Sequence, residues 1–198
     1  MAIHPTPVVG VLGVVDDVAK RVPMAFREMG DVVLLLGETR DELAGSEWAH
    51  VVHGHLGGLP PKVDLEAERA LATVLVTASR SGIVTAAHDL SDGGVAQAVV
   101  EMALRHGVGA TIDAPAGLDP FVFLFSESTA RAIVTATADH VEKVVALATQ
   151  HGVPVQRIGV VTGPADDVQV DLVDGSTISL ELEELRAASE ATLPALFG

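Results

Sequence analysis

Short apolar runs bounded by turn residues alternate along this chain with longer stretches of helical period. Val8 to Val15 is the first run and reads as a buried strand; Pro5 and Pro7 ahead of it are tolerated at a strand entrance. Asp31 starts a second, Val32-Val33-Leu34-Leu35-Leu36, closed by Gly37 and too short for a buried helix. Asp64 to Ser81 predicts a helix. Asp64 stands where a cap is needed, Glu66 and Glu68 fall in the first turn, where the helix dipole favours negative charge, and Gly82 follows the end. Its apolar face is expected at Leu65, Ala72, Val76 and Ser79, with Leu71 and Leu75 beside it. Ile83 to Ala87 predicts a short strand. Val95 to His106 predicts a helix with Val95, Val99, Met102 and Ala103 on one stripe and Gly107 as the stop.

Three further strands are expected at Ala110–Asp113, Phe121–Phe125 and Ala132–Ala136. Asp139 to His151 is amphipathic through Val141, Val144, Val145 and Ala148, and Gly152 ends it. Gln156–Val161 is again a strand. Val168 to Leu172 alternates strictly, Asp174-Gly175 signals a type I′ turn, and Thr177 to Leu180 returns, which predicts a hairpin. Glu181 to Ala191 closes as a helix. Strands and helices interleave, but the hairpin excludes a purely parallel sheet. The expected class is α+β, a layered domain with a mixed sheet.

Composition narrows the function. Twelve basic against 27 acidic residues give a net charge of −15, and the nine Arg and three Lys form no run. Such a chain is poorly suited to nucleic acid or an anionic membrane, and with 3% aromatics it offers no base-stacking platform. No apolar run approaches a membrane span. The absence of cysteine removes thiolate catalysis and Cys-ligated zinc, and it suits a reducing, cytoplasmic setting.

The most informative segment is Ala87-His88-Asp89-Leu90-Ser91-Asp92-Gly93-Gly94, between a short strand and a long helix. A helix start offers free N–H groups to an anion, and Gly93 and Gly94 let a phosphate approach the backbone. Asp89 and Asp92 would repel a bare phosphate. A divalent cation between carboxylates and phosphate reconciles the two. In the simpler alternative Asp92 or Ser91 is an N-cap and Asp89 bonds the turn. Further on, Ser126-Glu127-Ser128 precedes Arg131; Glu127 and Arg131 could hold a metal or a phosphorylated ligand, or form a surface ion pair. His50, His53 and His55 invite a metal reading, but spacing fixes no third ligand. No P-loop, nucleophile elbow or dinucleotide fingerprint is present.

Several ordered motifs together resemble one family. These are Ile3 to Gly13, Gly30 to Glu38, Asp41 to Glu47, His53-Gly54 to Pro61-Lys62, Ala87 to Gly94, Leu124 to Ser128 and the tail from Ser179 to Gly198. The sequence is similar to the large subunit of phosphoribosylformylglycinamidine synthase (PurL), whose chain alternates two ATP-binding-type domains with two C-terminal-type domains. The resemblance implies the layered α/β/α fold of the AIR synthase (PurM) C-terminal type. It assigns residues 1–16 to the terminal strand of a preceding ATP-binding-type domain and residues 17–198 to the last domain. The family uses ATP, magnesium and glutamine-derived ammonia to turn formylglycinamide ribonucleotide into the amidine in purine synthesis. Its catalytic residues lie upstream of this segment, so the chain alone is expected to be inactive. The implied partners are the upstream domains, a glutaminase and a small accessory subunit, and an orphan strand at Val8–Val15 would favour self-association.

At residue level the resemblance implies nucleotide or phosphate binding at Asp89, Ser91, Asp92, Gly93, Gly94, Ser126 and Ser128, and magnesium at Asp89, Asp92 and Glu127. Two alternatives differ in class: a structural module that completes the synthase, and a member of the thiamine-phosphate kinase or hydrogenase-maturation superfamily.

Overall fold

The computed structural model describes residues 9–197. Among the described residues one mixed sheet has seven strands: β1 (Val32–Leu36), β2 (Ala86–Asp89), β3 (Val108–Asp113), β4 (Ala132–Ala136), β5 (Val155–Pro164), β6 (Val168–Asp171) and β7 (Thr177–Leu180). Their order is β2-β4-β1-β5-β3-β6-β7. Every neighbouring pair is antiparallel except β3 and β6. The helices are α1 (Glu47–His53), α2 (Leu65–Ser81), α3 (Gly94–His106), α4 (Pro120–Phe125), α5 (Val141–Gln150), α6 (Leu182–Glu190) and α7 (Thr192–Phe197).

The β1 run, apolar at every position, is central because both its faces are covered. Val32, Leu34 and Leu36 meet Leu71, Val74 and Ala78 of α2 and Val144 and Ala148 of α5. Val33 and Leu35 face the other way, into a larger core with Val95, Val99 and Met102 of α3 and Phe123 of α4. Helices on both faces of a mixed sheet make the expected α/β/α layers.

Four local readings need correction. Phe121–Phe125 is not a strand but lies within α4. Asp119 accepts from the Phe121 and Val122 N–H groups at 2.8 and 3.2 Å, and Pro120 fills the first turn. A short all-apolar run has no readable period, and here the Asp-Pro start decides. The buried stripe of α2 is Leu71, Val74 and Ala78, whereas Leu65 and Val76 are exposed. The 172–176 loop is not type I′: Gly175 has φ +84° but Asp174 does not share the positive φ. The Gly175 N–H bonds back to Leu172 O and the Leu172 N–H to Ser176 O, so a three-residue loop joins β6 to β7.

The first expected strand also fails. Val8 lies outside the described residues, and Val9–Val15 forms no strand. Val11, Leu12 and Val14 are more than nine-tenths exposed, and among the described residues no strand pairs with them.

The assignment of α4 can be tested by unfolding in urea. Asp119→Ala is expected to cost about 1 kcal/mol through the lost cap, and Phe123→Ala about 3–5 kcal/mol through the cavity. A neutral Asp119→Ala would contradict the capped helix.

Candidate functional site

The turn between β2 and α3 stands between two open clefts of about 610 and 510 Å³. Asp89, Ser91 and Asp92 line both, and all three are exposed. Neither Ser91 nor Asp92 caps α3. The cap position is Gly93 itself, at φ +76°, and no side chain bonds the helix start from there. The Ser91 hydroxyl donates to Asp89 Oδ2 at 3.2 Å. Among the described residues the Asp92 carboxylate accepts no hydrogen bond, so the cap alternative fails and the group is left facing the cleft. Gly94 is a packing necessity: a Cβ there would stand 2.5 Å from Ser126 O and 2.8 Å from Leu124 O.

His88 fixes the turn from below. Its Nδ1 lies 2.7 Å from Asp89 O and its Nε2 2.9 Å from Glu101 Oε2. Gln97 Nε2 donates to the other Glu101 oxygen at 2.8 Å. Sequence reading passed over Glu101 and Gln97. Their only signal is the four-residue spacing that puts them on one helix face.

The segment from Ser126 to Arg131 forms the opposite wall. Ser126 and Ser128, expected to bind phosphate, are fully buried and hold the chain instead. The Ser126 hydroxyl donates to Arg40 O at 2.6 Å, and Ser128 Oγ accepts from the Arg40 N–H at 3.0 Å. Thr129 Oγ1 donates to Lys62 O, and the Ala130 N–H donates to Glu68 Oε1, both at 2.9 Å.

Arg131 makes no surface ion pair. It is 2% exposed. Its guanidinium donates to Ser126 O at 2.5 Å, Ser128 O at 2.9 Å and Thr39 Oγ1 at 3.0 Å. Burial pushes it down to about 10, against the pull of nearby Glu42. Burial also pushes Glu42 up. That effect is outweighed by the Ser128 hydroxyl, the Lys62 N–H at 2.8 Å and the positive charges of Arg40 and Arg131, which together hold the carboxyl below its ordinary value.

Glu127 shares the larger cleft with Asp89 and Asp92. However, its Oε1 accepts from Gly93 N–H at 2.8 Å and Glu47 N–H at 2.7 Å. Among the described residues no three His, Asp or Glu side chains converge on a metal position. His50 and His53 lie on α1, where His53 packs edge-on against Trp48 at 4.7 Å. What the turn offers is two cleft-facing carboxylates, which suit a cation; the free N–H groups expected at Gly93 and Gly94 are already used, because Gly93 donates to Glu127 and Gly94 to Ser91 O at 3.1 Å.

Residues 28–171 match the family described as AIR synthase related protein, C-terminal domain. The chain belongs to that family. It is 55% identical over 197 residues, 99% of this chain, to the phosphoribosylformylglycinamidine synthase subunit PurL of Parafrankia sp. (strain EAN1pec). The chain spans about a quarter of the length of the curated relatives it matches. Among solved structures it resembles T. maritima PurL complexed with FGAR, with a TM-score of 0.74 at 19% identity, covering 85% of this chain and 30% of that one. It also resembles T. maritima PurL complexed with ATP, with a TM-score of 0.68 at 19% identity, covering 85% and 27%. At such identity these two likenesses show the fold alone.

Arg131→Lys keeps the charge but not the planar fork. It is expected to cost about 2 kcal/mol or more in chemical unfolding, because buried carbonyls lose their donors. A loss under about 0.5 kcal/mol, as at an ordinary surface position, would show that the guanidinium is not holding the loop.

Proposed function

We propose that this chain is the C-terminal, AIR synthase-related part of an ATP-dependent, amidine-forming ligase. In that ligase, formylglycinamide ribonucleotide, ATP and glutamine-derived ammonia give the amidine, ADP and phosphate in purine biosynthesis. The observation that carries this reading is the 52–57% identity, over essentially the whole chain, to proteins named phosphoribosylformylglycinamidine synthase subunit PurL. It favours the synthase over a thiamine-phosphate kinase or hydrogenase-maturation role.

Within the ligase we assign residues 17–198 to the C-terminal domain and residues 1–16 to the end of the preceding ATP-binding-type domain of the same polypeptide, whose apolar run would pair with that domain's strands. In the isolated chain the same run supports self-association. The glutaminase and a small accessory subunit are the further partners, and the setting is cytoplasmic. No helix among the described residues is long and apolar enough to cross a membrane.

The turn from Asp89 to Gly94 is proposed as a magnesium–nucleotide phosphate site. Asp89 and Asp92 are exposed in the cleft, and Ser91 orients Asp89. Two carboxylates, with phosphate oxygens and water completing the shell, fit what magnesium takes from proteins. The ion would neutralise phosphate charge beside the two carboxylates. The phosphates would be held through the ion and not by the Gly93 and Gly94 N–H groups, which are already bonded, and His88 would hold Asp89 in place. Ser126 and Ser128 contribute by fixing the wall of the cleft. The structural-module alternative keeps the same fold but assigns no ligand to the turn.

Magnesium–ATP titration by calorimetry separates the two. Binding by the chain is expected to be weak. Asp89→Asn or Asp92→Asn should weaken it by about tenfold, the loss of roughly one charge-assisted contact, without lowering the unfolding temperature. The chain is also expected to form no amidine from ATP, formylglycinamide ribonucleotide and ammonia. Binding indifferent to both substitutions would favour the structural module, and full synthase turnover by this chain would refute the assignment.

A further inference from the structure

One oxygen atom of Glu127 joins two helix starts. Its Oε1 accepts from the Glu47 N–H at 2.7 Å and from the Gly93 N–H at 2.8 Å. Glu47 is the first residue of α1, and Gly93 is the cap position of α3. Both amides belong to the donors that a helix start leaves without a partner inside the helix. A carboxylate is the stronger kind of acceptor for them, and its charge suits the positive end of each helix. Ser46 caps α1 only at Ala49, and no side chain other than Glu127 reaches the start of α3 among the described residues.

The Glu127 backbone is itself immobilised. Arg131 holds the carbonyls on either side of it, at Ser126 and Ser128. The Ser126 and Ser128 hydroxyls clamp Arg40. The direction in which the Glu127 side chain leaves the wall is therefore set before any ligand arrives. Two accepted hydrogen bonds use both lone-pair directions of Oε1. A cation bound at that atom would have to evict at least one of the helix-start amides.

We infer that Glu127 is a positioning residue: through Oε1 it ties the Asp89–Gly94 turn to the start of α1, and it acts on binding through that tie. Its consequence for binding rests on the reading of that turn as a magnesium–nucleotide site. The tie itself does not.

The test uses Glu127→Ala, Glu127→Gln and Asp89→Asn in the 198-residue chain, with two readouts: amide hydrogen exchange by NMR, and binding of magnesium–ATP. In Glu127→Ala the Gly93 and Glu47 amides should together lose protection by about tenfold or more, while amides in β1 and β5 stay protected. Glu127→Gln keeps an acceptor oxygen and should restore most of that protection. It should also bind magnesium–ATP within about threefold of the unsubstituted chain, as expected when only a neutral acceptor replaces a charged one, whereas Asp89→Asn weakens it by about tenfold. If Glu127→Ala fails to fold, Glu127→Asp replaces it, because it keeps the charge but is one methylene too short to reach both amides.

The inference is overturned if the two amides exchange as before without the carboxylate. It is equally overturned if Glu127→Gln weakens magnesium-dependent binding as much as Asp89→Asn does, with both amides still protected. That second pattern would make Glu127 a metal ligand. If the unsubstituted chain binds no magnesium–ATP, the nucleotide reading of the turn fails, and the exchange data alone decide whether Glu127 ties the helices.

Discussion

A guanidinium buried without a carboxylate in ion-pair range, among the described residues, dictates how this domain is assembled around its cleft. Removing a charge from water is costly unless its donors are met. Arg131 meets that demand with two backbone carbonyls and a threonine hydroxyl, and Thr39 comes from 92 positions earlier in the chain. Conformations that do not bring the segment after β1 against the segment before β4 leave the charge unpaid. The fold around Ser126–Arg131 is thereby narrowed to one arrangement. From it Ser126 and Ser128 reach Arg40, Glu127 reaches Gly93 and Glu47, Thr129 reaches Lys62, and Ala130 reaches Glu68.

This arrangement separates two tasks that a linear motif runs together. Ser126, Ser128 and Arg131 are buried and satisfied within the protein, so they build the wall. Asp89, Ser91 and Asp92 are exposed on the facing turn and keep acceptor capacity for something from solvent. Gly94 lets the turn lie against the carbonyls of Leu124 and Ser126, and so sets the width of the gap. Chemistry and scaffolding thus face each other across one cleft but lie on opposite sides of a solvent boundary.

How much of this was legible follows from the range of each interaction. The cap at Asp64, the Val95–Ala103 stripe and the closed run at Val32–Leu36 are local patterns, and they appear where they were read. The Asp89–Gly94 turn was legible for the same reason, since its residues and the helix they precede are contiguous. Phe121–Phe125 was misread because five apolar residues carry no period, and the described part of the first run, Val9–Val15, because an apolar run says nothing about whether a neighbouring strand exists. The α2 stripe was rotated because several Ala and Val positions compete and only the sheet selects among them. The buried role of Arg131, the Glu127 bridge and the His88–Glu101 pair depend on partners distant in sequence, and no spacing rule contains them.

Native-state amide hydrogen exchange tests the central claim, that Ser126–Arg131 is folded into the core and not draped over it. We expect the amides of Arg40, Ser126 and Ala130 to open only with the transition that exposes β1 and β4, at the same free energy as the sheet. Exchange of those amides as an independent surface loop, well ahead of the sheet, would contradict the account.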